Sequence, residues 1–260
     1  MSNLTVLVVG ATGSIGRHVV TEAIAAGHRV RALVRSLERG AGFPAAAERV
    51  VGDVTRPETL AAAVAGVDAI VFTLGSTGQG AAGARAVDYE GVRNVIAALG
   101  RRPVRVALMT AIGVTDRDGQ YNRSTQAHDW KRRSERLIRV SGLEYTIVRP
   151  GWFDYNQPDQ HQLVFLQGDR RHAGTAADGV VARQQIAQVL VASLASEAAS
   201  RKTLELVAEV GPAQVDLNPL FDALSMDPAG SLDAVKDVAN MPLDGEPADV
   251  RRDLEAAAMD

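Results

Sequence analysis

The stretch "LTVLVVGATGSIGRHVVTEAIAAGHRVRALVRS", Leu4 to Ser36, decides how this chain folds. Its Val and Leu run at 5–9 reads as a short buried strand. "GATGSIG" follows as a tight turn. A helix pattern at about 14–26 comes next, and a second strand, "RVRALV" (29–34), arrives at the distance a parallel β-α-β unit requires. Gly10 permits the sharp bend, Gly13 lets the backbone approach a pyrophosphate, and Gly16 lets the helix pack close to the strand. The unpaired N–H groups at the helix start and the helix dipole favour an anion there. Thr12, Ser14 and Ile15 complete this cradle.

Working outward, the alternation continues. "ERVVG" (48–52), "DAIVFTL" (68–74), "VRVALMT" (104–110) and "EYTIVRP" (144–150) read as further buried strands. Helix patterns fall at about 57–65, 86–100 and 126–141, then at 183–195, with a strand at 203–208. Such alternation predicts an α/β protein, a Rossmann-type doubly wound parallel sheet covered by helices on both faces. The small-residue run "GSTGQGAAGARA" (75–86) reads as a flexible loop after the fourth strand. Loops at strand C-termini are where such folds bind ligands.

Charge divides the chain. From Ala213 to Asp260 there are 11 acidic and 3 basic side chains, a net −8, so the body carries +5 of a total of −3. Residues 1–212 are read as the dinucleotide-binding domain. Residues 213–260 are read as an acidic segment forming a small helical region on the substrate side. Leu217, Leu220, Phe221, Leu224, Leu232, Val235 and Val238 recur at helix-like spacing, which predicts docking on the body.

Composition excludes several functions. The 260 residues contain no cysteine, so disulfides, thiolate metal sites and a cysteine nucleophile are out. No leader and no membrane-length apolar run is seen, which predicts a cytoplasmic protein without a membrane partner. The net acidity argues against nucleic acid. His18, His28, His161 and His172 show no metal-ligand spacing, so no metal is expected. No "GxSxG" nucleophile elbow is present.

The end of the second strand selects the cofactor. An acidic residue there would bond the ribose hydroxyls of NAD. The sequence has "LVRS", so Arg35 can pair with a 2′-phosphate and Ser36 can add a hydrogen bond, favouring NADP(H). In "GDV", Asp53 can accept the adenine amino group or cap the next turn, with Val54 beside it. Leu74, Gly75 and Ser76 are placed to line the cofactor.

"GATGSIG", "LVRS", "GDV", "VDYEGVRNVIAAL" and "YTIVRPGWF", in this order and spacing, resemble the atypical short-chain dehydrogenase/reductases, in particular the NmrA-like NAD(P)-binding group. The likeness spans about Leu4 to Val207. It implies a Rossmann protein that binds NADP(H). Members include quinone and carbonyl reductases, tailoring enzymes of aromatic polyketides, and nucleotide-sensing regulators without catalysis. In the wider superfamily a Ser follows the fifth strand, and a Tyr-x-x-x-Lys motif starts the next helix. The Tyr gives a proton as hydride arrives, and the Lys holds the nicotinamide ribose. Here Lys131 fits the Lys, but Ala127 stands at the Tyr position and Ile112 near the Ser position. Thr110, Tyr121 and His128 are the candidate substitutes.

The departure from the motif points to a substrate. Reducing a plain ketone creates a strongly basic alkoxide that needs a positioned acid. Reducing a quinone creates a far less basic anion that water can protonate, so positioning dominates. The expected activity is therefore an NADPH-dependent reductase of quinone-like or aromatic carbonyl compounds. The resemblance also allows a place in polyketide tailoring, where the quinol reacts with dioxygen and a second protein acts on it. The alternative is a non-catalytic NADP(H) sensor. "RPGWFDYNQP" (149–158) follows the sixth strand. Pro150 would shape the nicotinamide end, and Trp152, Phe153 and Tyr155, with Ile112 and His128, could contact a flat substrate. "DWKRRSERLIR" predicts a helix whose arginines form its solvated face. "GDRRHAG" (168–174) could attract an anionic substrate or the cofactor phosphate. The helices at 86–100 and 126–141 form the usual dimer face in the group, implying a homodimer.

Overall fold

The computed structural model describes residues 3–76 and 78–259. β1 (Thr5–Val9) is buried at every position, as a central parallel strand must be. α1 (Ser14–Ala25) and β2 (Arg29–Val34) complete the first unit. Then come β3 (Ala47–Val51), α2 (Ala61–Val64), β4 (Ala69–Phe72), α3 (Gly80–Gly83), α4 (Glu90–Leu99) and β5 (Arg105–Met109). α5 (Gln120–Thr125), α6 (Ala127–Val140), β6 (Glu144–Pro150), β7 (Trp152–Phe153), β8 (Gln162–Leu166) and β9 (Val180–Val181) follow. α7 (Arg183–Ser193), β10 (Lys202–Glu209), α8 (Asn218–Asp222) and α9 (Ala248–Met259) finish the chain.

The main sheet has eight strands in the order β3-β2-β1-β4-β5-β6-β10-β8. All neighbours are parallel except β8, which runs antiparallel to β10. Chain direction across the sheet reverses between β1 and β4, which opens a crevice at the strand C-termini. One core lies between the sheet and α1 and α7, through Val6, Val8, Val19, Ile186 and Leu190. The other lies under α4 and α6, through Leu7, Val9, Val92, Val95 and Ile138. β7 and β9 form a separate two-stranded ladder just after β6.

Several expectations change. The run 75–86 is not all loop: helix begins at Gly80 and continues as a π-helix over Ala84–Tyr89 into α4; Thr77 lies outside the described residues. Tyr121 sits in the short helix α5, between β5 and α6. β8 was not expected; "QLVFL" becomes a strand by pairing with β10, its partners 39 to 47 residues away along the chain. The predicted helical repeat after Ala213 survives only as α8, and Val235 and Val238 are exposed.

The largest correction concerns α6. Its arginines are not a solvated face: Arg132 and Arg136 are 0% and 1% exposed, and Arg133 and Arg139 are also buried. The acidic segment covers them. Arg132 and Arg136 both donate to Asp233, at 3.0 and 2.7 Å; Arg133 donates to Glu246 and Arg139 to Asp227. Carbonyl oxygens of Val238, Met241 and Leu232 accept further bonds from the same arginines. Beneath them Arg149 of β6 meets Glu135 at 2.6 Å and Asp237 at 2.7 Å, all three fully buried. α9 is pinned by Arg85 to Asp249 and Arg93 to Asp253. The chain's own segment therefore covers the α6 part of the face expected to dimerise.

Candidate functional site

The glycine turn has the geometry of an anion cradle. Gly10 has φ +88°, and a Cβ there would lie 2.8 Å from the Thr73 carbonyl oxygen, so only glycine fits without strain. The Gly13 N–H donates to the Gly10 carbonyl at 2.9 Å and closes the turn. A Cβ on Gly16 would collide with that same carbonyl oxygen, so α1 rests directly on the turn. No side chain caps the start of α1. Thr12 is half-buried, Gly13 and Ser14 are exposed, and Ile15 is buried in the core. Uncapped amides beside an open glycine surface fit a pyrophosphate.

At the end of β2, Arg35 is exposed and, among the described residues, has no carboxylate partner. Ser36 is extended, and its hydroxyl bonds Glu38, whose carboxyl is held below the usual range. Asp53 Oδ1 accepts from the Thr55 amide and hydroxyl at 2.9 and 2.8 Å, so one oxygen caps the turn and Oδ2 remains. Val54 and Leu74 pack around Gly91 of α4, where a Cβ would lie 3.0 and 3.1 Å from their methyl groups. Gly75 is exposed beside them.

Lys131 reaches this cleft. Its Nζ donates to Asp88 Oδ1 at 3.0 Å and lies 3.5 Å from the Leu74 carbonyl. The Ser76 hydroxyl donates to Asp88 Oδ2, so Ser76 turns inward. Asp88, on the π-helix, is buried and was missed from the sequence. A signal existed: Asp88 stands in register with the buried Val92, Val95 and Leu99, on a face otherwise apolar. π-helical turns recur at functional sites because they re-aim side chains.

The candidate proton donors separate. Thr110 is buried and its hydroxyl donates to Glu135 Oε1 at 2.7 Å, which directs it into the ionic core rather than the cleft. Tyr121 is exposed, with its ring 5.1 Å from that of His128. His128 packs beside Gly113, its Nδ1 is buried without a partner, and burial lowers its pKa. Ala127 is buried and offers nothing. On the far wall, the Ile112 amide donates to the Pro150 carbonyl at 3.0 Å, so these two residues stand together. Trp152 and Tyr155 are exposed and meet edge-on, with centroids 6.1 Å apart. Phe153 instead packs on the core under Arg183. A cavity of about 910 Å³ lies elsewhere, between the C-terminal end of α1, α7 and residues 213–218, and none of these residues lines it.

A buried acid braces the wall. Burial pushes Glu205 up to about 7, with Arg149 offsetting only part of that. Glu205 accepts from the Asp169 amide, and the Asp169 carboxylate holds the amides of Gly113 and Thr115 at 2.6 and 2.7 Å. Because the folded value exceeds the ordinary 4.5, this group favours folding most below pH 4.5 and loses that contribution as pH rises through 7. The loss is on the order of 3 kcal/mol. Glu205→Gln should therefore be more stable than the parent at pH 8, with the gap closing toward pH 5. Thermal melts of both at several pH values check this; a gap independent of pH would refute it.

The comparisons agree with this geometry. Residues 10–197 match a protein-family model described as NAD(P)H-binding. An uncharacterized sugar epimerase, YhfK of Bacillus subtilis, is 30% identical over 78% of this chain and 94% of its own length. Sanguinarine reductase of Eschscholzia californica is 25% identical over 85% of this chain and 96% of its own. A solved structure from Bacillus halodurans, provisionally named an NAD-dependent epimerase/dehydratase, superposes with a TM-score of 0.72 at 25% identity, covering 85% of this chain and all of that one. The chain spans 62%, 94% and 69% of the length of three curated relatives. Among the described residues no helix is long and apolar enough to cross a membrane, and no cluster could hold a metal.

Proposed function

The chain belongs to the NAD(P)H-binding family of atypical short-chain dehydrogenase/reductase type, and on that premise we propose that it is an NADPH-dependent reductase of quinone-like or flat aromatic carbonyl compounds. What supports this reading is the residue at the usual acid position, which carries no hydroxyl. Ala127 is buried where a Tyr would stand, and Thr110 is spent on Glu135. A substrate whose reduced anion water can protonate needs no such acid.

When bound, the nicotinamide supplies hydride. The chain's residues do the rest. Gly10, Gly13 and Gly16 with the start of α1 would hold the pyrophosphate. Arg35 would pair with the 2′-phosphate. Lys131, oriented by Asp88, would hold the nicotinamide ribose, and Pro150 would shape the pocket at that end. Trp152 and Tyr155 offer an exposed aromatic edge to a flat ring. A place in polyketide tailoring, with the quinol reacting with dioxygen or passing to a second protein, extends the same chemistry. An NADP(H) sensor is the second reading, favoured by the same missing hydroxyl.

The test is NADPH and NADH oxidation against a panel of quinones and aromatic carbonyls. Quinone turnover is expected. In Arg35→Ala the KM for NADPH should rise roughly tenfold or more, the worth of a charge-assisted bond, with NADH hardly affected. Tight NADPH binding with no turnover of any compound would transfer the case to the sensor.

A further inference from the structure

The loop "GDRRHAG" (168–174) has no part in the reading above, yet it bridges the two walls of the substrate end. Asp169 ties it to the segment after β5 through the Gly113 and Thr115 amides. His172 Nε2 lies 3.3 Å from the Thr115 hydroxyl. At its other end Asp178 draws in the amides of Ala173, Gly174 and Thr175, at 2.7, 2.8 and 3.3 Å. The Gly179 carbonyl accepts from the Trp152 amide at 2.9 Å, which joins the loop to the turn after β6.

These bonds have an electrostatic consequence. Asp169 in the loop and Asp178 in the turn that follows it are both directed at main-chain amides. Arg171 is exposed, and its guanidinium donates to the Asp178 carbonyl at 3.2 Å, not to the carboxylate. It lies beside Gly179, where a Cβ would come within 3.2 Å of Nη1. Among the described residues it has no carboxylate partner, whereas the arginines of α6 are matched with acids. The loop thus presents an uncompensated cation at Asp178 and Gly179, the Gly179 carbonyl being the one that accepts from the Trp152 amide. The cofactor's 2′-phosphate does not account for it. The end of β2 is four strand spacings from the end of β6, roughly 19 Å across the sheet.

We propose that Arg171 recognises an anionic group, a carboxylate or its equivalent, on the flat substrate that lies against Trp152. This rests on the reductase reading for the identity of the pocket, and it narrows the substrate to an acidic aromatic compound. A planar guanidinium suits such a group because it can donate two parallel bonds.

The test pairs 1,4-naphthoquinone with its 2-sulfonate, in the parent, Arg171→Gln and Arg171→Lys. Gln keeps a donor toward the Asp178 carbonyl without the charge; Lys keeps the charge. Arg171→Gln should lower kcat/KM for the sulfonate roughly tenfold or more while the neutral quinone and the Kd for NADPH stay unchanged. Arg171→Lys should restore part of the loss, and added salt should erode the parent's preference. Equal losses for both quinones would mean that Arg171 only braces the loop, and a matching loss in NADPH affinity would assign the anion to the cofactor; either overturns the proposal. If no quinone is turned over, the reductase reading falls separately. Calorimetric titration of naphthalene-2-sulfonate into the NADP⁺-loaded protein then decides: weaker binding to Arg171→Gln sustains the anion site, and equal binding removes it.

Discussion

Gly16→Ala is expected to cost at least a hundredfold in NADPH affinity and to destabilise the fold by about 1–3 kcal/mol, the usual penalty for overpacking. Its sign makes the prediction sharp. In an unhindered helix, glycine to alanine should stabilise by about 1 kcal/mol. Here the new methyl would strike the Gly10 carbonyl oxygen, which also accepts the Gly13 bond that closes the turn. Relief requires α1 to lift from the turn, and its uncapped amides move with it. Gly13→Ala is the companion. Its Cβ would lie 3.1 Å from the same oxygen and otherwise face open space. That variant should melt close to the parent yet lose NADPH affinity, because the methyl occupies the surface on which the pyrophosphate rests. Calorimetric binding and thermal melts separate the two. A stabilised Gly16→Ala that still binds NADPH would falsify the turn-on-helix contact.

Arg149→Met should be the most destabilising single change, by about 3–5 kcal/mol. The guanidinium lies between Glu135, Asp237 and Glu205, and removing it leaves three carboxylates in a site closed to water. Burial alone would raise the Glu135 carboxyl, but Arg149, with Arg139 and the Thr110 hydroxyl, outweighs it and holds the group at about 2. Glu135 therefore contributes stability above pH 4.5 that is lost as pH falls toward 2. In a chain of this size the expected loss corresponds to a Tm drop of roughly 6–10 °C. Asp237 lies on the acidic segment, so the variant should also release that segment to limited proteolysis. Adding Glu135→Gln to Arg149→Met should recover part of the loss by removing one stranded charge. A Tm close to the parent's, with the segment still protected, would mean that water reaches this cluster.

Much of the fold was legible because its signals are local. The Val and Leu run, the three glycines and Arg35 lie within one β-α-β unit, where each residue's role follows from neighbours a few positions away. Ala127 and Lys131 were legible for the same reason, through spacing on one helix. The aromatic turn after Pro150 was visible as composition, but the pairing of Trp152 with Tyr155, and the diversion of Phe153 into the core, were not.

What the sequence by itself determined is the nucleotide half: strand, turn, helix and the cation at the end of β2, because short-range sterics and helix-end amides specify them. Tertiary structure alone decided the rest. Whether Arg132 and Arg136 are solvated or buried depends on Asp233, 101 and 97 residues away. Where Lys131 points depends on Asp88, 43 residues before it. Whether Arg171 has a counter-charge depends on which amides Asp169 and Asp178 meet. An ionic side chain leaves water at a desolvation cost that only matched partners offset, so its placement is set by the charge the folded chain brings to it.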